Sequence, residues 1–181
     1  MKPMARKALI AHLAKLLRTK GSWSGETHVQ KSVYLSQELL SVPFDFEFIL
    51  YKHGPFSFEL RDELASMLAD GILRQEPQPY PYGPSLVPGP LAELLETKFP
   101  KTLSKYEGPL KLVVNQIGDR KAGELERIAT AYFVTRENPK AGINERVEAL
   151  VSLKPHVSED EALSAVRYVD RLSEYVRSLG I

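Results

Sequence analysis

Four histidines, His12, His28, His53 and His156, are the side chains best suited to metal or proton chemistry, and their spacing favours neither. No two stand four residues apart on one helical face. No His-Glu-x-x-His motif or carboxylate-rich loop accompanies them, so no metal is expected. Cysteine is absent, which excludes disulfides, thiolate ligands and a cysteine nucleophile. The sequence holds no Gly-x-Ser-x-Gly elbow, phosphate-binding glycine loop or dinucleotide fingerprint. Glu124 and Glu126 lie two residues apart, a spacing that does not share a helical face. The run Glu159-Asp160-Glu161 suits the first turn of a helix, whose free N–H groups favour negative charge. The chain therefore reads as a non-enzyme with no cofactor.

Binding chemistry has more candidates. Residues 1–25 carry Lys2, Arg6, Lys7, Lys15, Arg18 and Lys20 and no acid, so the rest of the chain is net acidic although the whole is only +1. Lys7, Lys15 and Arg18, with His12 beside them, are predicted to share a broad helical face. Such a face could dock a phosphate backbone or an acidic protein surface. It is equally what the polar side of an amphipathic helix looks like. Arg74 is a further basic candidate.

The turn His53-Gly54-Pro55-Phe56-Ser57 joins an apolar run to the next helix. Gly54 admits backbone angles closed to other residues, Pro55 fixes its own φ, and Ser57 can cap the helix. That helix start could hold an anion, with His53 nearby, or it is only a capped connection. The helix itself would expose Glu59, Arg61, Asp62, Glu63 and Ser66. Three acids against one arginine repel DNA phosphate, so this face suits solvent or a protein better than a major groove. Tyr80 and Tyr82 stand in the stiff segment Pro79-Tyr80-Pro81-Tyr82-Gly83-Pro84, either as a partner-binding tip or packed back on a sheet. Trp23, the single tryptophan, is expected to be a core anchor.

These residues need elements to hold them. Met4, Leu9, Leu13, Leu16 and Leu17 repeat near the helical period and predict a helix over 4–18, started by Pro3 and ended by Lys20-Gly21. A second helix is predicted over 26–40, capped by Ser24 or Thr27 and striped by Val29, Val33, Leu35, Leu39 and Leu40, with Lys31 and Tyr34 flanking. Phe44, Phe46, Phe48 and Leu50 alternate with other residues, which predicts a strand over 44–51. A third helix over 58–69 ends at Asp70-Gly71. Short strands at 72–75 and 85–87 flank the proline loop. Beyond residue 90 the pattern predicts helices at about 90–98, 103–118, 121–137, 142–152 and 159–179. Ser158 and Glu161 have the spacing of a capping box.

Hydrophobic residues make up 43% of the 181 residues, enough for a buried core of one large or two small domains. No apolar run is long enough to span a bilayer. His12, Lys15 and Arg18 interrupt the first apolar stretch, so a signal peptide is not expected and a cytoplasmic location is.

Gln30-Lys31-Ser32-Val33-Tyr34-Leu35-Ser36-Gln37 resembles a helix shared by two related bacterial groups, the YwgA-like proteins and the Panacea domain of SocA-like antitoxins. Tyr51-Lys52-His53-Gly54-Pro55-Phe56-Ser57 resembles their strand-end turn, and Gly71-Ile72-Leu73 the segment after their third helix. Glu124-Leu125-Glu126-Arg127-Ile128-Ala129-Thr130-Ala131-Tyr132 resembles a helix of the YwgA-like group. The matches run over about residues 28–132, in the same order. His53 and the long proline loop depart from the usual pattern. The resemblance implies a winged helix with a helical extension, and for the Panacea group a protein that neutralises a toxin by binding it.

The expectation is thus an α+β, mainly helical chain: a winged-helix domain over 1–90 and a helical bundle over 91–181 packed on it. Its partner would be a cognate, toxin-like protein. The alternative is a DNA-binding regulator, with homodimerisation open and no membrane contact.

Overall fold

A computed structural model describes residues 1–80 and 82–180. The fold is α+β and mainly helical. In chain order the elements are α1 (Pro3–Thr19), α2 (Glu26–Glu38), β1 (Ile49–Tyr51), β2 (Gly54–Phe56), α3 (Phe58–Ala69), β3 (Leu73–Glu76), β4 (Ser85–Pro88), α4 (Ala92–Lys98), α5 (Pro100–Ile117), α6 (Ala122–Glu137), α7 (Ile143–Leu153) and α8 (Glu159–Ser178). They form two compact units. One holds residues 1–48 and 57–120, the other residues 49–56 and 121–181. The break expected near residue 90 is therefore not where the chain divides, because α4 and α5 pack against α1 within the first unit.

In the first unit α1 is the centre, in contact with α2, α4, α5 and β4. Ala5, Ala8, Ala11 and Ala14, spaced every three residues, are buried along with Leu9, Ile10, Leu13 and Leu17. Small side chains on one row let neighbouring helices approach closely. Met4, assigned to the apolar stripe by periodicity, is instead exposed, since the alanine row and not Met4 faces the core. α1 ends as its sequence suggests. Gly21 takes φ +83°, its N–H donates to the Arg18 carbonyl, and the Ser22 N–H donates to the Leu17 carbonyl. α3 repeats the device with Gly71 at φ +70°.

α2 carries many polar residues yet is buried nearly all round. Lys31 and Tyr34, expected to flank the stripe, are inside it. The reason is that α1, α3 and α5 enclose it. Its N-cap is Gly25, with no side-chain cap from Ser24 or Thr27. Ser24 instead bonds to a strand. At φ +53° its hydroxyl donates to the Leu86 carbonyl (2.9 Å), and its own carbonyl accepts the Leu86 N–H (2.8 Å). The Ser85 hydroxyl donates to the Trp23 carbonyl. Residues 23–24 are thereby fastened along β4, which pairs antiparallel with β3 from Leu73↔Pro88 to Glu76↔Ser85. The loop between β3 and β4 carries the prolines and tyrosines; Pro81, part of the expected tip, lies outside the described residues.

The long strand predicted over 44–51 is only Ile49–Tyr51. Phe44 and Phe46 are buried on alternate positions as read. However, Ser41 and Asp45 have φ of +54° and +60°, which bends the chain out of a regular ladder. The Gln37 side chain stands in for a partner strand: its amide donates to the Phe46 carbonyl (2.8 Å) and its oxygen accepts the Phe46 N–H (3.0 Å).

In the second unit β1 pairs with β2 in a tight hairpin, Ile49↔Phe56 to Tyr51↔Gly54, and β2 packs on α6, which with α7 and α8 forms a three-helix cluster. The buried Lys154 holds the hairpin. Its ammonium donates to the carbonyls of Tyr51 (3.0 Å) and Lys52 (2.6 Å) and lies 3.2 Å from buried Glu126. The Arg146 guanidinium grips Asp170 with both arms, at 2.6 and 2.9 Å. α8 starts in the expected capping box between Ser158 and Glu161.

Gly54 sits buried at φ +87° where the hairpin closes. A β-branched side chain there meets the left-handed penalty in full, so Gly54→Val should lower stability by about 2 kcal/mol or more. A denaturant melt checks this, and an unchanged midpoint would contradict the turn geometry.

Candidate functional site

The cations expected to form one basic face are each drawn to an acid. α1 places Lys7 against α3, where it is only 9% exposed and donates to Asp70 (2.7 Å) and Ser66 Oγ (2.8 Å). That hydrogen bond holds the Asp70 carboxyl below the usual carboxylate range. Lys7 shares a side of α1 with Arg18, eleven residues on, but it is buried against α3. Lys15 donates to Glu96 on α4 (2.8 Å), and His12 Nδ1 lies 3.0 Å from the other Glu96 oxygen. Burial works against the charge on Glu96, but the bonds from Lys15 and His12 outweigh it and hold its carboxyl below the usual range. Arg18 and Arg74 share one carboxylate, Glu76 on β3. Arg61 donates to its neighbour Asp62 (3.1 Å) and lies over the Phe58 ring. Lys20, at the end of α1, is exposed and makes no ion pair among the described residues.

The turn candidates separate. His53 and Gly54 belong to the hairpin of the second unit, where exposed His53 Nδ1 lies 3.4 Å from Glu126 and His156 Nε2 lies 3.5 Å from it. Among the described residues these groups do not make a metal-binding cluster. Ser57 belongs to the first unit and is wholly buried. Its hydroxyl accepts the Leu60 N–H (3.2 Å) as the expected cap, and its backbone N–H and carbonyl are both taken by Gln30 (3.0 and 2.9 Å). The turn is thus a hairpin followed by a sealed helix start, and no open anion cradle forms there.

What residue patterns did not indicate is a cleft of about 450 Å³ between the start of α2, the outer face of α3 and the end of the proline loop. Its apolar lining includes Trp23, Leu64, Ala65, Leu68 and Leu86. Trp23 is half-buried as a wall of this cleft and does not sit in the core. Its indole N–H donates to the Gly83 carbonyl (2.9 Å), and Tyr82 meets its ring edge-on at 4.6 Å. Tyr82 thus leans on Trp23 while still more than half exposed, and Tyr80 is 97% exposed at the loop tip.

Glu26, Thr27 and His28 bring the uncapped first turn of α2 into the cleft wall. His28 is buried, and burial pushes its imidazole below the ordinary value, opposed by its bond to a backbone carbonyl. His28 Nε2 lies 2.9 Å from the Arg120 carbonyl, which can only accept, so Nε2 carries the proton and Nδ1 is a bare acceptor. Nδ1 is buried and has no hydrogen-bond partner. The only sequence signal for this site was Trp23 five residues before a histidine in the first turn of a helix, a spacing that matches no motif.

No protein-family model and no curated protein sequence matches the chain. No helix among the described residues is long and apolar enough to cross a membrane.

Neutral His28 has a sign-definite consequence. In the unfolded chain it gains a proton as pH falls through about 6.5, while the folded chain resists until lower pH. Its contribution is therefore present above pH 6.5 and lost on acidification. The unfolding midpoint of the native protein should fall further between about pH 7.5 and pH 5 than that of His28→Gln, which keeps a donor for Arg120 but does not titrate. Equal falls would mean that the folded imidazole protonates freely.

Proposed function

We propose that the first unit is a winged helix used to bind a protein, as an antitoxin-type interaction module does, and that the chain is not an enzyme. The winged-helix reading is supported by the order α1, residues 23–24, α2, α3, β3, loop, β4, and by the fastening of residues 23–24 along β4. In such a fold α3 is the helix that would meet DNA. The hairpin of residues 49–56 is then an insertion between the second and third helices.

The observation that carries the protein-binding reading is the pairing of the basic residues. Phosphate binding draws its strength from releasing counterions at unpaired cations. Lys7, Lys15, Arg18, Arg61 and Arg74 each have a carboxylate within an ion-pair distance, and α3 presents Glu59 and Asp62 outward. At these five side chains a DNA strand would have to displace an acid to gain a contact, which leaves Lys20 as the one candidate cation open to phosphate. The resemblance to YwgA-like and Panacea proteins agrees with this reading, with a toxin-like protein as the partner.

The test is recovery of the tagged protein from its host with and without nuclease, identifying both protein and nucleic acid. A stoichiometric protein partner that survives nuclease is expected. The double variant Lys15→Glu with Arg18→Glu should leave that partner bound. Recovery of a specific DNA with no protein, lost in the double variant, would establish the regulator instead.

A further inference from the structure

The cleft beside α3 has features of both an apolar pocket and a backbone-binding edge. Its floor is opened by Ala65, a small exposed residue at the centre of the outer face of α3, between half-buried Leu68 and the Trp23 wall. A cleft of about 450 Å³ is large enough for one or two side chains. An apolar wall alone would accept any greasy group, but the start of α2 adds direction. It offers N–H groups that no side chain caps, and His28, which lines the same wall, keeps a buried Nδ1 acceptor without a partner. A carbonyl oxygen suits the first and an N–H the second, and a peptide backbone carries both. A phosphate or other multiply charged anion fits poorly, because His28 Nδ1 accepts and the Glu26 carboxylate stands at the same wall.

Charge narrows the partner further. Glu26 is exposed at the rim and makes no ion pair among the described residues, while the arginine lining the cleft, Arg61, is already paired with Asp62. The rim is therefore complementary to a cation.

We propose that this cleft is the docking site for a short peptide segment of the protein partner, with one large apolar side chain seated between Trp23 and Ala65, its backbone bonded to the first turn of α2, and a lysine or arginine next to it facing Glu26. This rests on the protein-binding reading and adds to it the place and the chemistry of recognition. The proline loop helps shape the cleft: Gly83 holds the Trp23 indole, and Tyr82 braces its ring. Exposed Tyr80 extends the apolar surface beyond the rim.

Trp23 is the only tryptophan, so its emission reports directly on the cleft. Short random peptides displayed on phage are selected on the immobilised full-length protein at physiological salt, and the recovered sequences are synthesised and titrated while Trp23 fluorescence is followed. The expected peptides pair a large apolar residue with lysine or arginine and shift Trp23 emission on binding. Ala65→Arg, on an exposed helix position, should weaken them about tenfold or more by filling the floor and repelling the cation. Glu26→Gln, a gentler change, should cut the advantage of basic over neutral peptides by about threefold or more while leaving the apolar preference. Circular dichroism confirms that both variants fold. Recovery of no such class, unchanged Trp23 emission, or equal binding to Ala65→Arg would each overturn the cleft as the docking site. None of these would touch the protein-binding reading, which fails separately if the nuclease-treated recovery yields no protein partner.

Discussion

A helix enclosed by four neighbouring elements must still give each of its charges either water or a counterion, and α1 carries Arg6, Lys7, Lys15 and Arg18. Its alanine row brings α2, α4, α5 and β4 close, so little of its surface reaches solvent. An amine left near such a core without a partner would cost several kcal/mol. The requirement binds Lys7, which is buried and answered by Asp70 at the end of α3; Lys15 and Arg18 are half exposed, and their pairs with Glu96 on α4 and Glu76 on β3 add less. Arg6 likewise reaches Glu63 at 3.4 Å. The packing of α1 therefore decides the electrostatic character of the first unit, and the acids that look scattered along the sequence are placed by the cations they answer.

The same packing explains how the cleft comes about. Residues 22–25 leave α1 through a glycine cap and are then pinned to β4 by the hydrogen bonds of Ser24 and Ser85. Ser24 is held at positive φ, an uncommon state for a residue with a side chain, and its buried hydroxyl bond offsets part of that strain. The result is that Trp23 projects sideways and α2 begins without a side-chain cap. A well-capped α2 with Trp23 in the core would have had no recess beside α3.

Helix ends and capping signals were legible in the sequence because they are local. Lys20-Gly21, Asp70-Gly71, Ser57 and the Ser158–Glu161 box each act within a single helical turn. The alternation of Phe44 and Phe46 was also legible as burial, but not as a strand, because the partner turned out to be the Gln37 side chain and not another strand. The charge pairs were not legible. Lys7 and Asp70 are separated by 63 positions and Lys15 and Glu96 by 81, and nothing in residue type foretells that they meet. His28 escaped for the same reason: burial keeps it neutral, and the Arg120 carbonyl, 92 positions away, fixes which ring nitrogen carries the proton. The polar composition of α2 misled as well, since amphipathic periodicity assumes one wet face and α2 has almost none.

The hairpin of residues 49–56 is made early in the chain but belongs with helices made last. During synthesis it leaves the ribosome long before Glu126 and Lys154 exist to hold it. A two-stranded hairpin alone is at best marginally stable in water. The nascent first unit therefore forms while the segment joining α2 to α3 is still unsettled, and that segment is locked only when α6 and α7 emerge. A chain released after residue 120 would keep every element of the first unit and still display an orphan hairpin, with the buried Pro55 stripped of the α6 surface that β2 packs on. Such a fragment would be a readier target for proteolysis or aggregation than the whole chain, in which Lys154 holds the hairpin closed.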